Sequence, residues 1–576
     1  MRIVFLLFII LIDITNAQNI PNERLADWSN VGAKPINTDN YIEHNFYEIK
    51  NKYNCSDDEA IAFILEKNKL GFNKIYFRNG IYNFSKPIIL PSNTSIVGES
   101  SELTIFEFDL GGNYHLISSI GNAIKDTTFI PLTLELKTNS FKIENHNLSS
   151  GDFIYLFDED NDKITSEWAK YSTGQIIEIE SVENDLINLK SEVRRKFSKE
   201  NIPRFITLNL VENISISNIS IIRKDKTETQ TSNIYFNYTR NAIVSCVRSY
   251  NSNFAHITIA NSSNCDVTGS YFQDGFDYGG GGKAYGVMLQ FAASQCLIYN
   301  NQFNHLRHSL ILQAGSNGNV ISYNYSKDPY WTDVTLPSNS AGDLVLHGNY
   351  PYSNLFESNT IQNIVIDDSH GQNGPFNTFF RNRAELYGIF MNPGIPSDSQ
   401  NFIGNEITNS NFLMGNYFLS GNNHFEYGNN VKNKITPENT NDIGFSSLYL
   451  TQKLDYYNEN NWPPIGLPNK LNEYRVESEN SNNSGFLTAC DYSISSITDS
   501  NKDNQFKIFP NPIRNSEYLN IVTDSIYNSI VIFDIVGSKI FESNFYQKSF
   551  KIDISNFRNG IYILNINGVV KKLVVK

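Results

Sequence analysis

The feature that most constrains this fold is a repeat of about 23 residues in the middle of the chain. Short apolar segments recur at 286–290, 309–313, 343–347, 363–367 and 387–391, and each precedes a second apolar segment that ends in asparagine. These asparagines are Asn301, Asn324, Asn359, Asn382 and Asn405. Successive members are separated by 23, 35, 23 and 23 residues, and the first segments show their one long interval at the same place. The long interval is therefore an insertion within a continuous repeat.

A unit this short, with strands and no helical period, cannot bury its apolar face alone and must stack on its neighbours. Parallel stacking gives a β-solenoid. Asparagines at one corner of successive turns can hydrogen bond up and down the column. The column resembles the asparagine ladder of right-handed parallel β-helix proteins of the pectate lyase-like superfamily, over roughly residues 205–430. The resemblance implies an all-β, right-handed parallel β-helix with about 23 residues per rung.

The N-terminal region agrees with this architecture. The stretch CSDDEAIAFILEKN predicts a helix with a capping box at Ser56 and Glu59, and short strands broken by turns follow it. Preceded by DWSNVG at 27–32, this order resembles the N-terminal module of the rhamnogalacturonase and epimerase-like branch of that superfamily. Residues 124–204 depart from the pattern, and we interpret them as a small β insertion of unassigned use.

Both ends of the chain carry export signals. Arg2, an apolar run at 3–12 and small residues before Gln18 predict a cleaved secretory signal. The C-terminal motifs FKIFPNPIRN, VIFDIVGSKIFES and KIDISNFRNGIYILNI closely resemble the sorting domain of the type IX secretion system. That resemblance implies passage through the periplasm, then release or attachment at the cell surface. The predicted domains are a signal peptide (1–17), an N-terminal cap with the first rungs (18–123), the insertion (124–204), the β-helix with its C-terminal cap (205–475), a polar linker (476–504) and a small β-sandwich sorting domain (505–576).

The composition and net charge limit the classes of partner that this chain is expected to bind. A net charge of −14 argues against nucleic acid, because phosphate binding favours a basic surface. Five scattered cysteines are too few for a disulfide scaffold in 576 residues. After the signal, no apolar stretch approaches the roughly 20 residues of a transmembrane helix. We expect a monomer whose partners are a polysaccharide and the type IX machinery.

A column of polar residues follows from the alternation of the first strands. If Val287, Leu289 and their counterparts point inward, the residues that end these strands point outward on successive rungs. They are Gln290, Gln313, His347 and Asp367. Rungs about 4.8 Å apart bring His347 and Asp367 within reach, with Asp343 on the same face. A carboxylate beside an imidazole fixes its tautomer and raises its basicity, as a general base or acid requires.

Further candidates surround this column. His308, His370 and Asp368 are the remaining predicted proton-transfer or binding groups. Arg307, Arg381 and Arg383 are predicted to project toward the same region, where arginine forks suit a uronate carboxylate. Insertions at 273–286 and 326–342 are predicted to wall a groove, with Tyr330 and Trp331 stacking on sugar rings. Three alternatives stay open: His347 is solvated surface, the two glutamines form only an amide ladder, and the two aromatic residues fold their own loop down.

The scaffold alone does not give a reaction. The favoured hypothesis is a polysaccharide lyase, in which arginines neutralise a uronate and a base at His347 or His308 removes the C5 proton. The second is a glycoside hydrolase of the polygalacturonase or rhamnogalacturonase type, which would use two of Asp343, Asp367 and Asp368 as acid and base. The stretch DDSHG at 367–371 resembles the paired aspartates and histidine-glycine element of polygalacturonases, compressed into one strand end. The third is a non-catalytic glycan-binding surface protein. Calcium is a possible cofactor, although the sequence shows no convincing metal site.

Overall fold

The chain forms two compact units that divide between Cys490 and Asp491. The computed structural model describes residues 20–37, 41–67, 72–333, 341–392, 394–491, 506–514, 518–523, 528–534, 538–545, 547–566 and 569–576. The predicted signal peptide lies outside the described residues. None of the described helices is long and apolar enough to span a membrane.

The first unit is a right-handed parallel β-helix whose rungs have three faces, named here the ladder face, the middle face and the groove face. The ladder face contains Ile42–Asn45, Asn73–Phe77, Thr94–Gly98, Val211–Ser217, Thr239–Ser245, Ser263–Thr268, Leu297–Tyr299, Val320–Ser322, Leu355–Glu357, Thr378–Phe380, Asn401–Ile403 and Phe425–Tyr427. The middle face contains Gly80–Phe84, Thr104–Phe108, Ser220–Arg223, Arg248–Ser252, Tyr271–Gly275, Gln302–Asn304, Tyr325–Lys327, Glu406–Ile407, Asn429–Val431 and Lys434–Thr436. The groove face contains Ile88–Ile89, Ile117–Ile120, Ile234–Asn237, Ala255–Ala260, Tyr285–Gln290, His308–Leu312, Leu344–Leu346 and Asn416–Phe418. Two long strands, Thr360–Ile366 and Arg383–Met391, run from the middle face into the groove face.

The predicted asparagine ladder is confirmed at the corner between the ladder and middle faces. The backbone N and Nδ2 of Asn324 both donate to Oδ1 of Asn359, at 3.0 and 2.9 Å. The same pair of bonds joins each successive member of Asn301, Asn324, Asn359, Asn382, Asn405 and Asn429. Each amide is buried and satisfied, which fixes the turn and the register of the rungs together.

A second ladder, which sequence reasoning missed, stands at the corner between the groove and ladder faces. Asn319, Asn354, Asn377 and Gln400 bond in series through their side chains. Inside the solenoid, Phe356, Phe379 and Phe402 stack with ring centroids 4.8 and 5.1 Å apart. Apolar stacking and polar ladders therefore repeat on the same rung period.

The N-terminal segment packs along the ladder face. The Trp28 indole donates to the Ser353 carbonyl at 3.0 Å, inside an apolar cluster that includes Leu355. Two helices follow, Phe46–Tyr53 and Asp57–Lys67. The predicted capping box is present, because Glu59 accepts from Ser56 N and Oγ at 2.9 Å each.

The insertion is a six-stranded antiparallel sheet with its own core. Its strands are Asn122–Phe129, Ser140–Lys142, Phe153–Phe157, Gln175–Glu183, Leu186–Leu189 and Arg204–Asn209, with one-turn 3-10 helices at Glu167–Ala169 and Lys199–Asn201. Rungs of the solenoid both precede and follow the insertion in the sequence. The strand Thr94–Gly98, before it, pairs directly with Val211–Ser217, after it. The insertion therefore leaves and rejoins an uninterrupted solenoid.

The segment after the last strand differs from the linker predicted for 476–504. Its described part includes the helix Glu477–Asn483, and Ser478 Oγ donates to the Tyr323 carbonyl at 2.6 Å. A disulfide joins Cys490 to Cys246, which lies at the corner between the ladder and middle faces. Polar composition suggested a solvated linker, but the hydroxyl, amide and carboxylate groups here bond to buried groups of the solenoid. The part of the predicted linker at 492–504 lies outside the described residues.

The second unit consists of two small antiparallel sheets around one apolar core. One contains Phe506–Phe509, Tyr518–Thr523 and Ser549–Asp553, and the other contains Asn528–Asp534, Lys539–Phe545, Gly560–Ile566 and Val569–Val575. Buried isoleucines alternate with exposed residues along these strands, as expected for facing sheets.

Candidate functional site

A pocket of about 450 Å³ opens on the groove face. It is lined by Trp168, Gln230, Phe254, Gly281, Gly282, Tyr285, Met288, Gln290, Phe291, Arg307, Gln313, His347 and His370. Five of these residues were predicted as site residues, and they come from successive rungs. The pocket combines apolar walls with a few polar groups, which is typical of ligand sites.

Strand register places the predicted polar column along this pocket. Leu289 pairs with Leu312, Leu312 with Leu346, and Leu346 with Ile366. The next residue on each strand is a member of the column, Gln290, Gln313, His347 and Asp367. The Gln313 amide donates to Gln290 Oε1 at 2.9 Å, so these two form an amide ladder as well as lining the pocket.

His347 and Asp367 form the central pair. His347 Nδ1 lies 2.8 Å from Asp367 Oδ2. An ionised carboxylate can only accept, so Nδ1 carries the proton and the lone pair of the neutral imidazole is on Nε2. No described residue hydrogen bonds to Nε2, and the ring is 14% exposed at the pocket. The pair therefore presents Nε2 of an oriented imidazole to the pocket.

Asp367 is held by several donors. Its Oδ1 accepts from Ser369 N at 3.0 Å, from Ser369 Oγ at 2.6 Å and from Asn392 Nδ2 at 3.3 Å. Burial would raise the pKa of Asp367, but hydrogen bonds from His347 and His370 outweigh it and hold the pKa well below its usual range. Asp367 in turn raises the pKa of His370, whose ring is half-exposed. The carboxylate stays ionised and orients both imidazoles.

His308 lies behind His347 and does not line the pocket. Their ring centroids are 5.8 Å apart, and His308 Nδ1 donates to the Gly342 carbonyl at 2.5 Å. Burial, followed by the nearby Arg307, lowers the pKa of His308 well below its usual range. A buried neutral imidazole cannot reach a polymer in the groove, so the prediction of His308 as the direct base is not supported by its position.

Arg307 is the one predicted arginine that reaches the pocket. Its Nη1 donates to the carbonyl of Gly279, at 2.9 Å, and to that of Gly281, in the insertion at 273–286. The guanidinium also lies 5.1 Å from the Trp331 ring. The glycine-rich loop thus fixes the arginine at the pocket edge.

The two aromatic residues predicted to stack on sugars pack instead against side chains from neighbouring segments of the first unit. Tyr330 lies against His305 and Tyr278, with ring centroids 4.9 and 5.2 Å apart. Trp331 lies beneath Arg307, and neither aromatic lines the pocket. The two loops do contact each other, since Gly280 N donates to Asp333 Oδ2 at 2.6 Å. Residues 334–340 of the second loop lie outside the described residues.

Two predicted aspartates face away from the pocket. Asp343 is fully buried and accepts from Ser326 Oγ at 2.8 Å and from Gln362 N at 3.1 Å. It precedes the strand Leu344–Leu346, at the corner with the middle face, where the alternation of a strand no longer applies. Asp368 begins the 3-10 helix that follows Asp367, and its carboxylate accepts from Asn373 and Ser397. Burial raises the pKa of both aspartates.

Arg381 and Arg383 are also wrongly placed by the sequence prediction. Both project out of the solenoid, but at the corner between the ladder and middle faces, which residues 445–479 cover. Arg381 donates to the carbonyls of Phe445 and Ile465, and Arg383 pairs with the buried Glu406 at 2.8 Å. These arginines fasten the C-terminal cap of the first unit.

Sequence reasoning missed Trp168. It lies in the insertion, on the 3-10 helix Glu167–Ala169, and its half-exposed ring meets Phe291 edge to face at 5.8 Å. The sequence did contain one indication of this residue. Trp168 is a large aromatic residue in the polar stretch TSEWAKYSTG, where no apolar strand is available to bury it. Its place at the pocket depends on how the insertion docks, and the local sequence does not encode that.

His347, Asp367 and His370 could also hold a metal ion, because their ligand atoms all lie within 4.8 Å of one another. Two nitrogens and one oxygen suit a transition metal better than calcium, which favours oxygen ligands. The hydrogen bond from His347 to Asp367 already accounts for half of this geometry, and His370 Nδ1 lies 2.9 Å from Ser369 Oγ and 3.4 Å from Asp367 Oδ2.

Comparison with known families identifies the second unit. Residues 507–576 match the family model described as Secretion system C-terminal sorting domain. The sorting domain predicted from the sequence is confirmed, and the chain is secreted or attached to the cell surface. A curated relative, Beta-agarase A of Zobellia galactanivorans, is 28% identical over 69 residues, which is 12% of this chain and 13% of that protein.

Solved structures are similar to the solenoid at low sequence identity. The tailspike protein gp49 from Pseudomonas phage LKA1 is 14% identical with a TM-score of 0.49, over 66% of this chain and 63% of that one. The Azotobacter vinelandii mannuronan C-5 epimerase AlgE6 A-module is 10% identical with a TM-score of 0.26, over 70% of this chain and 99% of that one. The chain spans less than two thirds of the curated relative and of the first of these structures.

Proposed function

We propose that this chain is a secreted polysaccharide lyase that cleaves a uronate-containing polysaccharide, with His347 as the base. The observation that carries the proposal is the 2.8 Å bond from His347 Nδ1 to Asp367, which leaves Nε2 facing a pocket that also contains Arg307. The hydrogen bond to a buried, ionised carboxylate fixes the tautomer and the orientation of the imidazole, as a positioned general base requires. Arg307 supplies the positive charge that a uronate carboxylate needs.

The elimination assigns one role to each group. Nε2 of His347 removes the C5 proton of the uronate, the C4–C5 double bond forms, and the C4–O bond breaks. The departing glycosyl oxygen takes a proton from His370, whose pKa is raised by its contact with Asp367, or from water. Arg307 stabilises the charge that develops on the carboxylate as the proton leaves.

The hydrolase alternative is less well supported by the geometry. A glycosidase of this kind needs two carboxylates on opposite sides of the bond that it cleaves. Of the three candidate aspartates, only Asp367 is beside the pocket, while Asp343 and Asp368 are buried and hydrogen bonded elsewhere. The described pocket lining contains no aspartate or glutamate.

The superfamily of the solenoid and the export route of the chain can also be inferred from structural features. We infer that the solenoid is a member of the pectate lyase-like superfamily with a rhamnogalacturonase-like N-terminal module, which the asparagine ladder and the capped helix Asp57–Lys67 support. We also infer passage through the periplasm. The disulfide between Cys246 and Cys490 supports that route, since such bonds form in oxidising compartments.

The test uses the purified full chain and a panel of polygalacturonate, alginate, glycosaminoglycan and neutral glucan. A lyase gives an unsaturated product that absorbs in the ultraviolet, on uronate polymers only. Saturated reducing ends would instead establish a hydrolase, and retention of the polymer without product would establish a binding protein.

A further inference from the structure

We propose that Trp168 is a sugar-stacking platform, and that the insertion at 124–204 exists to deliver it to the pocket beside His347. The ligand is one pyranose ring of the polysaccharide. This inference rests on the proposed function for the identity of the ligand, but not for the reaction.

The exposure of Trp168 is the first observation. The residue is 52% exposed at the pocket wall, and its ring makes an edge-to-face contact with Phe291. An indole left this open forgoes much of the burial that would stabilise the fold. Gln290 and Gln313 line the same pocket, so polar groups for sugar hydroxyls accompany the aromatic surface.

The backbone beneath Trp168 is held rigidly against the solenoid. Ala169 is fully buried in a small cluster with Ile164 and Ala314. A Cβ at Gly315 would lie 1.8 Å from the Ser172 carbonyl oxygen. The backbone of the insertion therefore packs so tightly against the solenoid turn at Gly315 that no side chain fits there. A platform fixed in this way loses little conformational entropy when a ring stacks on it.

Polar anchors add to this contact. Asn317, on a turn of the solenoid, accepts from the buried Arg194 Nη1 at 3.0 Å and donates to the Gly174 carbonyl at 3.0 Å. The Tyr352 hydroxyl donates to the same carbonyl at 3.0 Å. These bonds tie the insertion to the rungs that carry the pocket, at the turns that follow Gln313 and His347. The insertion is therefore positioned as one wall of the active site.

The test compares Trp168→Ala and Trp168→Phe with the matched control Phe129→Ala. Phe129 is an exposed aromatic of the same insertion that does not line the pocket. Binding of polygalacturonate, alginate and glycosaminoglycan oligosaccharides is measured by calorimetry, and cleavage by ultraviolet absorption. We expect Trp168→Ala to raise Kd and KM at least about fivefold with kcat and melting temperature unchanged, Trp168→Phe to restore part of the loss, and the control to match wild type.

Each outcome decides the question. Unchanged Kd and KM in Trp168→Ala would overturn the platform and leave the lyase standing. A wild type that binds these oligosaccharides but yields no unsaturated product would overturn the lyase, while the Kd comparison still decides the platform. Equal losses in Phe129→Ala would overturn the platform in favour of a general effect of the insertion, and a wild type that binds none of the three uronate oligosaccharides would overturn both proposals.

Discussion

His347 donates a 2.8 Å hydrogen bond to Asp367 across two neighbouring rungs that are paired in register. The bond depends on the solenoid itself, because the parallel pairing of Leu346 with Ile366 brings the next residues of the two strands side by side. The scaffold thus orients the imidazole without a dedicated loop.

We predict that His347→Ala and Asp367→Asn each lower kcat on a uronate polymer by at least about a hundredfold, the usual contribution of a positioned proton-transfer group. Binding and the folded structure should be retained, since Asn keeps the volume of Asp and His347 reaches the pocket surface. Asp367→Asn should lower the melting temperature, because the ionised carboxylate is hydrogen bonded in the folded state. His305→Ala is the matched control, because His305 makes a similar 2.7 Å bond to Asp328 away from the pocket. Full activity in either site variant would refute the assignment of the base.

Asn359→Leu should lower the melting temperature far more than Gln313→Ala. The Asn359 side chain accepts two bonds from Asn324 and donates to Asn382 and to the Ile321 carbonyl, all of them buried. Each partner left unsatisfied costs on the order of 1 to 3 kcal/mol. Gln313 loses one amide bond at the pocket edge. Thermal unfolding followed by circular dichroism measures the difference, and equal midpoints would contradict the role of the ladder.

Glu357→Gln should stabilise the first unit above neutral pH but not in acid. Burial raises the pKa of Glu357 to about 7, so the folded state favours the protonated carboxyl. Wild type therefore loses stability as the pH rises from about 4 to about 7, by up to about 3 kcal/mol, and the amide variant avoids this loss. Denaturant titrations at pH 4.5, 6 and 8 measure the difference in free energy of unfolding between variant and wild type. Glu438→Gln, at an exposed position, is the control. A difference in free energy of unfolding that stays constant with pH would contradict the prediction.

Deletion of the residues after Gln505 should leave the solenoid folded and retain it in the periplasm. The compact first unit ends at Cys490, so its core and its disulfide stay intact. Cell fractionation with immunoblotting, and the melting temperature of the recovered protein, measure both effects. Normal secretion of the shortened chain would show that the sorting domain is dispensable.

The parts of this molecule that sequence could predict are those set by the repeat itself. Asn359 follows from the 23-residue period, and the alignment of His347 with Asp367 follows from strand alternation and parallel register. Both depend only on neighbouring rungs, so a pattern along the chain contains the needed information.

The parts that could not be predicted depend on what covers the solenoid. Arg383 was expected in the groove, but the C-terminal cap buries it with Glu406 on another corner. Asp343 lies at the beginning of a strand, where the chain turns and alternation fails. Trp168 reaches the pocket only because the insertion docks on the turn at Gly315. Contacts of this kind join segments that are far apart in sequence, so the repeat period does not predict them.

The disulfide between Cys246 and Cys490 gives the first unit a closed covalent circuit of 244 residues in sequence separation. A solenoid otherwise unfolds rung by rung from a free end. Closing so long a circuit lowers the entropy of the unfolded chain, which stabilises the folded state by about 5 kcal/mol at 25 °C. The circuit includes the pocket strands and the loop at 326–342. A protease cut in this loop would place Arg307 on one fragment and His347 with Asp367 on the other, and the disulfide would keep the two fragments joined to each other.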